Sequence, residues 1–254
     1  QFKNISLEAF SAKGIDIPAQ WANAVDEQTD EIIRLHQEDF PVLDYHVHLN
    51  GGLTKEVAAR QSRWTGVNYG LAINCGIGFS ITNDTELYNY LDTMRTQPFI
   101  LAMQAEGREW VTTFSEAARN SFDYVFTDAM TFLDHKGRRT HLWVNKEVII
   151  DDEQAYMDMM LDRICSVLEE PVDMYVNSCF LPDAMSDRYD MFWTEERIDR
   201  FVNALAKSGK ALEINELYHI PNKAIIQKAK AAGVKFTFGS NNITPEVGTL
   251  DYCI

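Results

Sequence analysis

Residues 43–52 read LDYHVHLNGG. Successive side chains of a β-strand alternate between its two faces. As a strand, this segment therefore lines one face with Asp44, His46 and His48 and the other with Leu43, Tyr45, Val47 and Leu49. The chain holds only six histidines, and two of them share a face with a carboxylate inside an apolar run. Neutral imidazoles bind Zn, Fe, Ni or Mn-type ions well. A buried pair is equally satisfied by hydrogen bonds. Both readings stand on this stretch alone, and the rest of the chain bears on the choice.

Working outward, strand-like runs recur: VLDYHVHL (42–49), YGLAIN (69–74), FILAMQAE (99–106), YVFTDA (124–129), DMYVNS (173–178), ALEINE (211–216) and KFTFGS (235–240). Helical patterns separate most of them, as in TKEVAARQSRW, DTELYNYLDTM, EQAYMDMMLDRICSVLEE, TEERIDRFVNALAKSG and PNKAIIQKAKAAG. The last has Pro221 near its first turn and closes on Gly233, the usual punctuation of a helix. Strands alternating with helices argue for a parallel sheet. The first forty residues form a helical extension, with Trp21, Val25, Ile32 and Leu35 at helical spacing. HKGRRTHLWVNKEVII (135–150) breaks the rhythm and reads as a long loop with an extra strand. It follows the fourth strand, so it is expected to rim the cavity there. The last residues read as entering a helix. No repeat or linker divides the chain, so one domain, 1–254, is expected.

Each run begins apolar and ends polar. His46 and His48 end the first, Asn74 the second, Glu106 the third and Asp128 the fourth. Asn177 ends the fifth, Glu213 and Asn215 the sixth, and Asn241 and Asn242 follow the seventh. In βα barrels the C-terminal strand ends and the loops after them form the active-site face. Polar ends recurring in register point to a site there rather than to separate caps.

These residues resemble the polymerase and histidinol phosphatase (PHP) superfamily. The likeness spans about residues 42–250 and is carried by HxH on the first strand, seven strands instead of eight, and the closing EIN–helix–AGVKFTFGSNN. HVHLNGG, MQAEGREW, DYVFTDAMTF and FGSNN are closer still to a PHP-like bacterial group, a match that implies no activity. The resemblance implies a distorted TIM-like (βα)7 barrel, an α/β fold, and a phosphoesterase using up to three divalent ions. His46 and His48 match the family's first-strand ligands. Gln104-Ala105-Glu106 matches its Gly-x-Glu, which makes Glu106 a ligand, with Glu109 as the fallback. Elsewhere the chain departs from the pattern. Asn74-Cys75-Gly76 stands for Thr-Asp-His, Met130 for the fourth-strand histidine with Asp128 two residues before it, and Asn177 for the fifth-strand histidine. Gly239-Ser240-Asn241-Asn242-Ile243 replaces Gly-Ser-Asp-Ala-His.

His46, His48, Glu106 and Asp128 are thus the expected metal ligands, for Zn, Mn or Fe. One or two ions at most are expected. At 4 Å two doubly charged ions repel by about 4 kcal/mol even in water, and neutral amides stand where the family supplies charge. Asp128, Arg108 and His219 are the candidate catalytic residues: water's proton acceptor, anion holder and general acid. Asn74, Asn177, Glu213, Asn215, Asn241 and Asn242 are candidate substrate contacts, the amides suiting hydrogen bonds to a polyol or sugar-like ligand. The expected function is a metal-dependent hydrolase of PHP-like type acting on a phosphoester or other small anionic substrate; the alternative is a metal-poor, non-catalytic barrel binding a small polar or sugar-like ligand. An amidohydrolase-type site lacks the later strand-end histidines it needs.

Composition excludes other classes. Lys and Arg number 23 against 38 Asp and Glu, a net charge of −15, which disfavours nucleic acid and anionic membranes as partners. A small-molecule substrate is expected instead. No apolar run approaches the ~18–20 residues of a membrane span. The four cysteines show no CxxC spacing, against a zinc knuckle or redox pair. GxSxG, P-loop and GxGxxG are absent. The start at Gln1 suits a mature exported or periplasmic protein, with the cytoplasm as alternative. Lys136, Arg138, Arg139 and Lys146, with His135 and His141, form a basic run, read as a solvated surface before an anion receptor.

Overall fold

The computed structural model describes residues 30–96, 99–134 and 136–254. Trp21 and Val25 of the first helical pattern, and His135 of the basic run, lie outside the described residues. Residues 30–37 are helical, and Ile32 of this helix is buried in the core.

Nine strands are described: β1 Leu43–Val47, β2 Asn68–Cys75, β3 Ile100–Ala105, β4 Tyr124–Thr127, β5 Thr131–Leu133, β6 Arg139–His141, β7 Met174–Tyr175, β8 Ala211–Asn215 and β9 Phe236–Gly239. Seven of them close a parallel barrel in the order β1-β2-β3-β4-β7-β8-β9, and β9 returns to β1 through Asp44 and Phe238. This is an α/β, TIM-like barrel of seven strands. The helices between strands start on side-chain caps. Thr194, for example, accepts from the Arg197 N–H, and the same helix, Glu195–Ser208, ends on Gly209 at φ 71°. That left-handed conformation is open to glycine at no steric cost.

Three apolar clusters hold the layers together. Val47, Leu71, Leu101 and Leu87 belong to the packing outside β1–β3, and Leu161, Phe201 and Leu212 to that outside β7 and β8. The third fills the barrel itself with Ala72, Ala102, Tyr124, Phe126, Met174 and Val176. One end of the bore is therefore an aromatic plug, and the polar residues sit beyond it at the C-terminal ends.

Several expectations change in detail. The strict alternation in β1 fails because its pairing with β2 shifts register between Asp44 and Val47. A bulge turns consecutive side chains to one side. Tyr45 packs on Tyr124 at 5.5 Å between ring centroids and His46 on Phe126 at 4.6 Å. Asp44 does not line the bore with the histidines. Its Oδ1 accepts from the backbone N–H of His46 (3.1 Å) and Ser240 (2.9 Å), fastening β1 to the end of β9. The fifth barrel strand is cut to Met174–Tyr175, and Asn177 turns out of it at φ 47°. The insertion is an antiparallel hairpin of β5 and β6, whose first strand precedes the loop read from sequence. Pro221 lies before the final helix, which Asn222 caps. The closing residues 251–253 form a turn, not a helix. Among the described residues no helix is long and apolar enough to cross a membrane.

Gly76 follows β2 directly and packs against the backbone just beyond β3. A Cβ there would lie 2.3 Å from the Glu106 carbonyl oxygen, inside any tolerable contact and against backbone. Gly76→Ala is expected to cost at least about 2 kcal/mol, since overpacking a tight site commonly costs 1–3. A fall in the urea midpoint at unchanged m measures it.

Candidate active site

The strand ends meet in one continuous hydrogen-bonded network. Glu213, 1% exposed at the end of β8, anchors it. Its Oε1 faces His46 Nδ1 at 2.6 Å, and its Oε2 accepts from the Asn177 N–H (2.7 Å) and Asn215 Nδ2 (2.9 Å). The other ring nitrogen of His46 faces Gln104 Oε1 at 3.2 Å. The Gln104 amide then donates to Glu106 Oε1 at 3.0 Å, where Asn74 also donates at 2.9 Å. Thr131, from β5, donates to Glu106 Oε2 at 2.9 Å. On the far side Asn177 donates to Asp128 Oδ2 at 2.8 Å and receives bonds from Asn215 and Asn241. Glu106 and Asn177, predicted to share one end of the barrel, are thus members of one network. Asn177 and Asn241 reach it through left-handed backbone at φ 47° and 48°, a region Asn enters more readily than most residues.

Burial controls the electrostatics. Desolvation opposes charge on His46, but the Glu213 carboxylate beside it outweighs this and raises the imidazole's pKa. His48 is pushed down to about 3 by burial and then by His46, so it is neutral. Its Nδ1 lies 3.2 Å from the Ala72 carbonyl, which places the ring's single hydrogen on Nδ1. Glu106 is raised to about 8, first by burial and then by the like charge of Asp128. Asp128 is itself raised by burial, against the Asn177 hydrogen bond. Four perturbed groups at one barrel mouth are the usual signature of a functional site.

Other candidates are engaged elsewhere. Asn242 does not face a ligand. Its Oδ1 accepts from the His48 N–H (2.7 Å) and its Nδ2 donates to the carbonyls of His48 (2.9 Å) and Thr244 (2.8 Å), so it zips two loops together. Arg108 is a clamp rather than an anion receptor, bonding Glu170 (2.8 Å), Thr127 Oγ1 (3.0 Å) and the Asp128 carbonyl (2.8 Å). Arg108→Ala is expected to cost about 1.5–3 kcal/mol, the range for hydrogen bonds to charged groups, read as a lower thermal midpoint. Glu109 pairs with Arg139 at 2.7 Å, outside the network, and Arg138 pairs with Asp134.

His219 lies apart, stacked on Tyr252 at 4.9 Å and 6°. It lines a cavity of about 520 Å³ together with Trp143, Phe180, Asp183, Tyr189 and Tyr218. These walls hang from the network's own asparagines: the Phe180 N–H bonds the Asn177 carbonyl, and the Tyr218 N–H bonds Asn215 Oδ1 at 3.0 Å. The insertion therefore does rim the mouth, through Trp143, while its cations do not line the cavity. Sequence reading passed over this pocket. The available signal was aromatic residues in the loops after the fifth and sixth barrel strands.

The protein is thus a seven-stranded TIM-like barrel with a buried ionisable network at its C-terminal mouth and a cavity beside it. No family model matches the sequence, and no curated protein matches it. Among solved structures it has a likeness to a "putative lyase/mutase" from Burkholderia cenocepacia J2315, at 15% identity and a TM-score of 0.26. That match covers 92% of this chain, which spans 66% of the other protein. The barrel stands on its own strand pairing.

Metal-binding histidines characteristically have their second nitrogen held by a carboxylate or a backbone carbonyl. His46 on Glu213 and His48 on Ala72 follow this pattern, and Glu106 and Asp128 supply charge that repels itself without a cation. Gly76 has no room for a side chain and supplies no further ligand. Among the described residues no three His, Cys, Asp or Glu stand together as a formed metal site, and Gln104 bridges His46 to Glu106.

Proposed function

We propose that the protein is a metal-dependent hydrolase of the PHP type, acting on a small polar substrate at the C-terminal mouth. The observation that carries the reading is the orientation of the two histidines, each held at Nδ1 by Glu213 or the Ala72 carbonyl. His46, His48 and Glu106 would hold one divalent ion, Zn, Mn or Fe, with the Gln104 amide swung aside. Such an ion, when bound, supplies a water of lowered pKa and polarises the substrate oxygen. Glu213 and Ala72 fix the imidazole tautomers. Asp128, whose raised pKa makes it a stronger base than an ordinary carboxylate, would be the group to accept a proton there, and Asn177 holds its Oδ2. Phosphoester hydrolysis, the chemistry the resemblance implies, lacks support from Arg108, whose terminal nitrogens bond Glu170, Thr127 and the Asp128 carbonyl.

A second reading, a metal-poor barrel that binds a polar ligand without catalysis, is favoured by the Gln104 bridge, which satisfies His46 and Glu106 without an ion. Metal analysis of protein equilibrated with Zn, Mn or Fe separates the two. One ion per chain, or two at most, supports the hydrolase. None retained supports the binding barrel. Three would overturn the ligand assignment itself.

A further inference from the structure

We propose that the cavity over the ends of β7 and β8 is a binding site for a neutral polyhydroxylated ring, a pyranose or a cyclic polyol. The proposal rests on the reading above only in taking this end of the barrel as the substrate end. The cavity's volume, about 520 Å³, lies within the range of small-molecule sites, roughly 300–1,000 Å³.

A sugar ring has apolar C–H faces and a polar rim, so it needs flat aromatic surface flanked by hydrogen-bonding groups. Trp143 and Tyr218 are 42% and 38% exposed, and each rests against a neighbouring ring. The Tyr218 ring sits edge-on to Phe180 at 4.9 Å. Trp143 leans on His141 at 5.0 Å, which is tethered to Glu147 at 2.7 Å. Surfaces already fixed lose little freedom when a ligand arrives.

The rim carries matching polar groups. Asp183 accepts one hydrogen bond, from Asn145 at 2.8 Å, and faces no cation among the described residues, so its second oxygen can accept from ligand hydroxyls. His219, held flat against Tyr252, offers ring nitrogens without a protein partner among the described residues.

Charge narrows the class further. No Lys or Arg lines the cavity, and the chain carries −15 overall, so phosphate or carboxylate ligands meet no compensating charge. A quaternary ammonium would use the ring faces and Asp183 but leave the His219 ring nitrogens unmatched.

The test is binding of methyl glucopyranoside, methyl galactopyranoside and myo-inositol to the whole chain in the presence of a chelator, followed by calorimetry and tryptophan fluorescence. Choline and inorganic phosphate serve as contrasts. Saturable binding of at least one of the three, weakened about tenfold by Trp143→Ala, is expected, since one aromatic contact is worth up to about 1.5 kcal/mol beyond area. Asp183→Asn weakens it as well, and Trp143→Phe restores most of the affinity. No saturation by any of the three at millimolar concentration overturns the proposal. So does preference for choline or phosphate, or sugar binding indifferent to Trp143→Ala. Because the chelator removes any metal contribution, failure of the hydrolase reading leaves this result standing, and the reverse holds too.

Discussion

Glu213→Ala is expected to destabilise the folded protein by about 3–5 kcal/mol, the usual cost of stripping one partner from a buried ion pair. The carboxylate is 1% exposed and accepts from three separate donors: His46 Nδ1, the Asn177 N–H and Asn215 Nδ2. Truncation leaves His46 Nδ1 and the Asn177 N–H without a partner, in a site packed against the Phe126 ring, and leaves Asn215 Nδ2 only its bond to Asn177 Oδ1. Glu213→Gln keeps the volume and removes the charge, so its loss should be smaller. The pH dependence separates the two contributions. His46 has a folded pKa raised above its unfolded value. Its stabilisation is therefore fully present below the unfolded pKa and is lost as pH rises through the folded one. The gap between wild type and Glu213→Gln should narrow along that rise. Urea midpoints taken across the range measure it, and a gap constant with pH would show that the pair carries no charge.

Much of the barrel was legible because its signals are local. Seven apolar runs ending in polar residues, with capped amphipathic segments between them, need no tertiary information. DTELYNYLDTM is the helix Asp84–Met94 residue for residue. What sequence could not carry was the use each polar side chain finds. Asn242 and Asn241 are adjacent and chemically identical, yet one zips backbone and the other bonds Asn177. Arg108 looked free for anions because Glu170, its partner at 2.8 Å, lies 62 residues away. The bulge in β1 depends on the register taken with β2, which no alternation of polar and apolar residues reveals. The cavity was hidden for a similar reason. Trp143, Asp183 and Tyr218 come from three different connections between barrel strands, and only closure of the barrel places them on one rim.

Glu106→Gln is expected to abolish metal retention and lower any hydrolysis at least about a hundredfold, in line with the larger losses seen when a metal site is perturbed, while leaving the fold intact. The amide is isosteric and keeps an oxygen to accept from Thr131, Asn74 or Gln104, so the network survives. What disappears is the charge. In the metal-free protein that charge is a burden, because Glu106 lies beside Asp128 with its pKa raised to about 8. A carboxyl raised in the folded state binds its proton more tightly there than when unfolded. Its contribution is thus fully present below the unfolded pKa, near 4.5, and is lost as pH climbs to about 8. Metal-free wild type should lose stability over that window, at up to about 1.4 kcal/mol per pH unit for one proton. Glu106→Gln has no proton to lose and should be flatter. A divalent ion reverses the sign, since it binds the carboxylate and not the acid, so added Zn or Mn should stabilise wild type more as pH rises and leave the variant unmoved. Thermal melts of both proteins, with and without metal across this window, read all four curves. Equal metal-induced shifts in wild type and variant would remove Glu106 from the ligand set, whatever the activity shows.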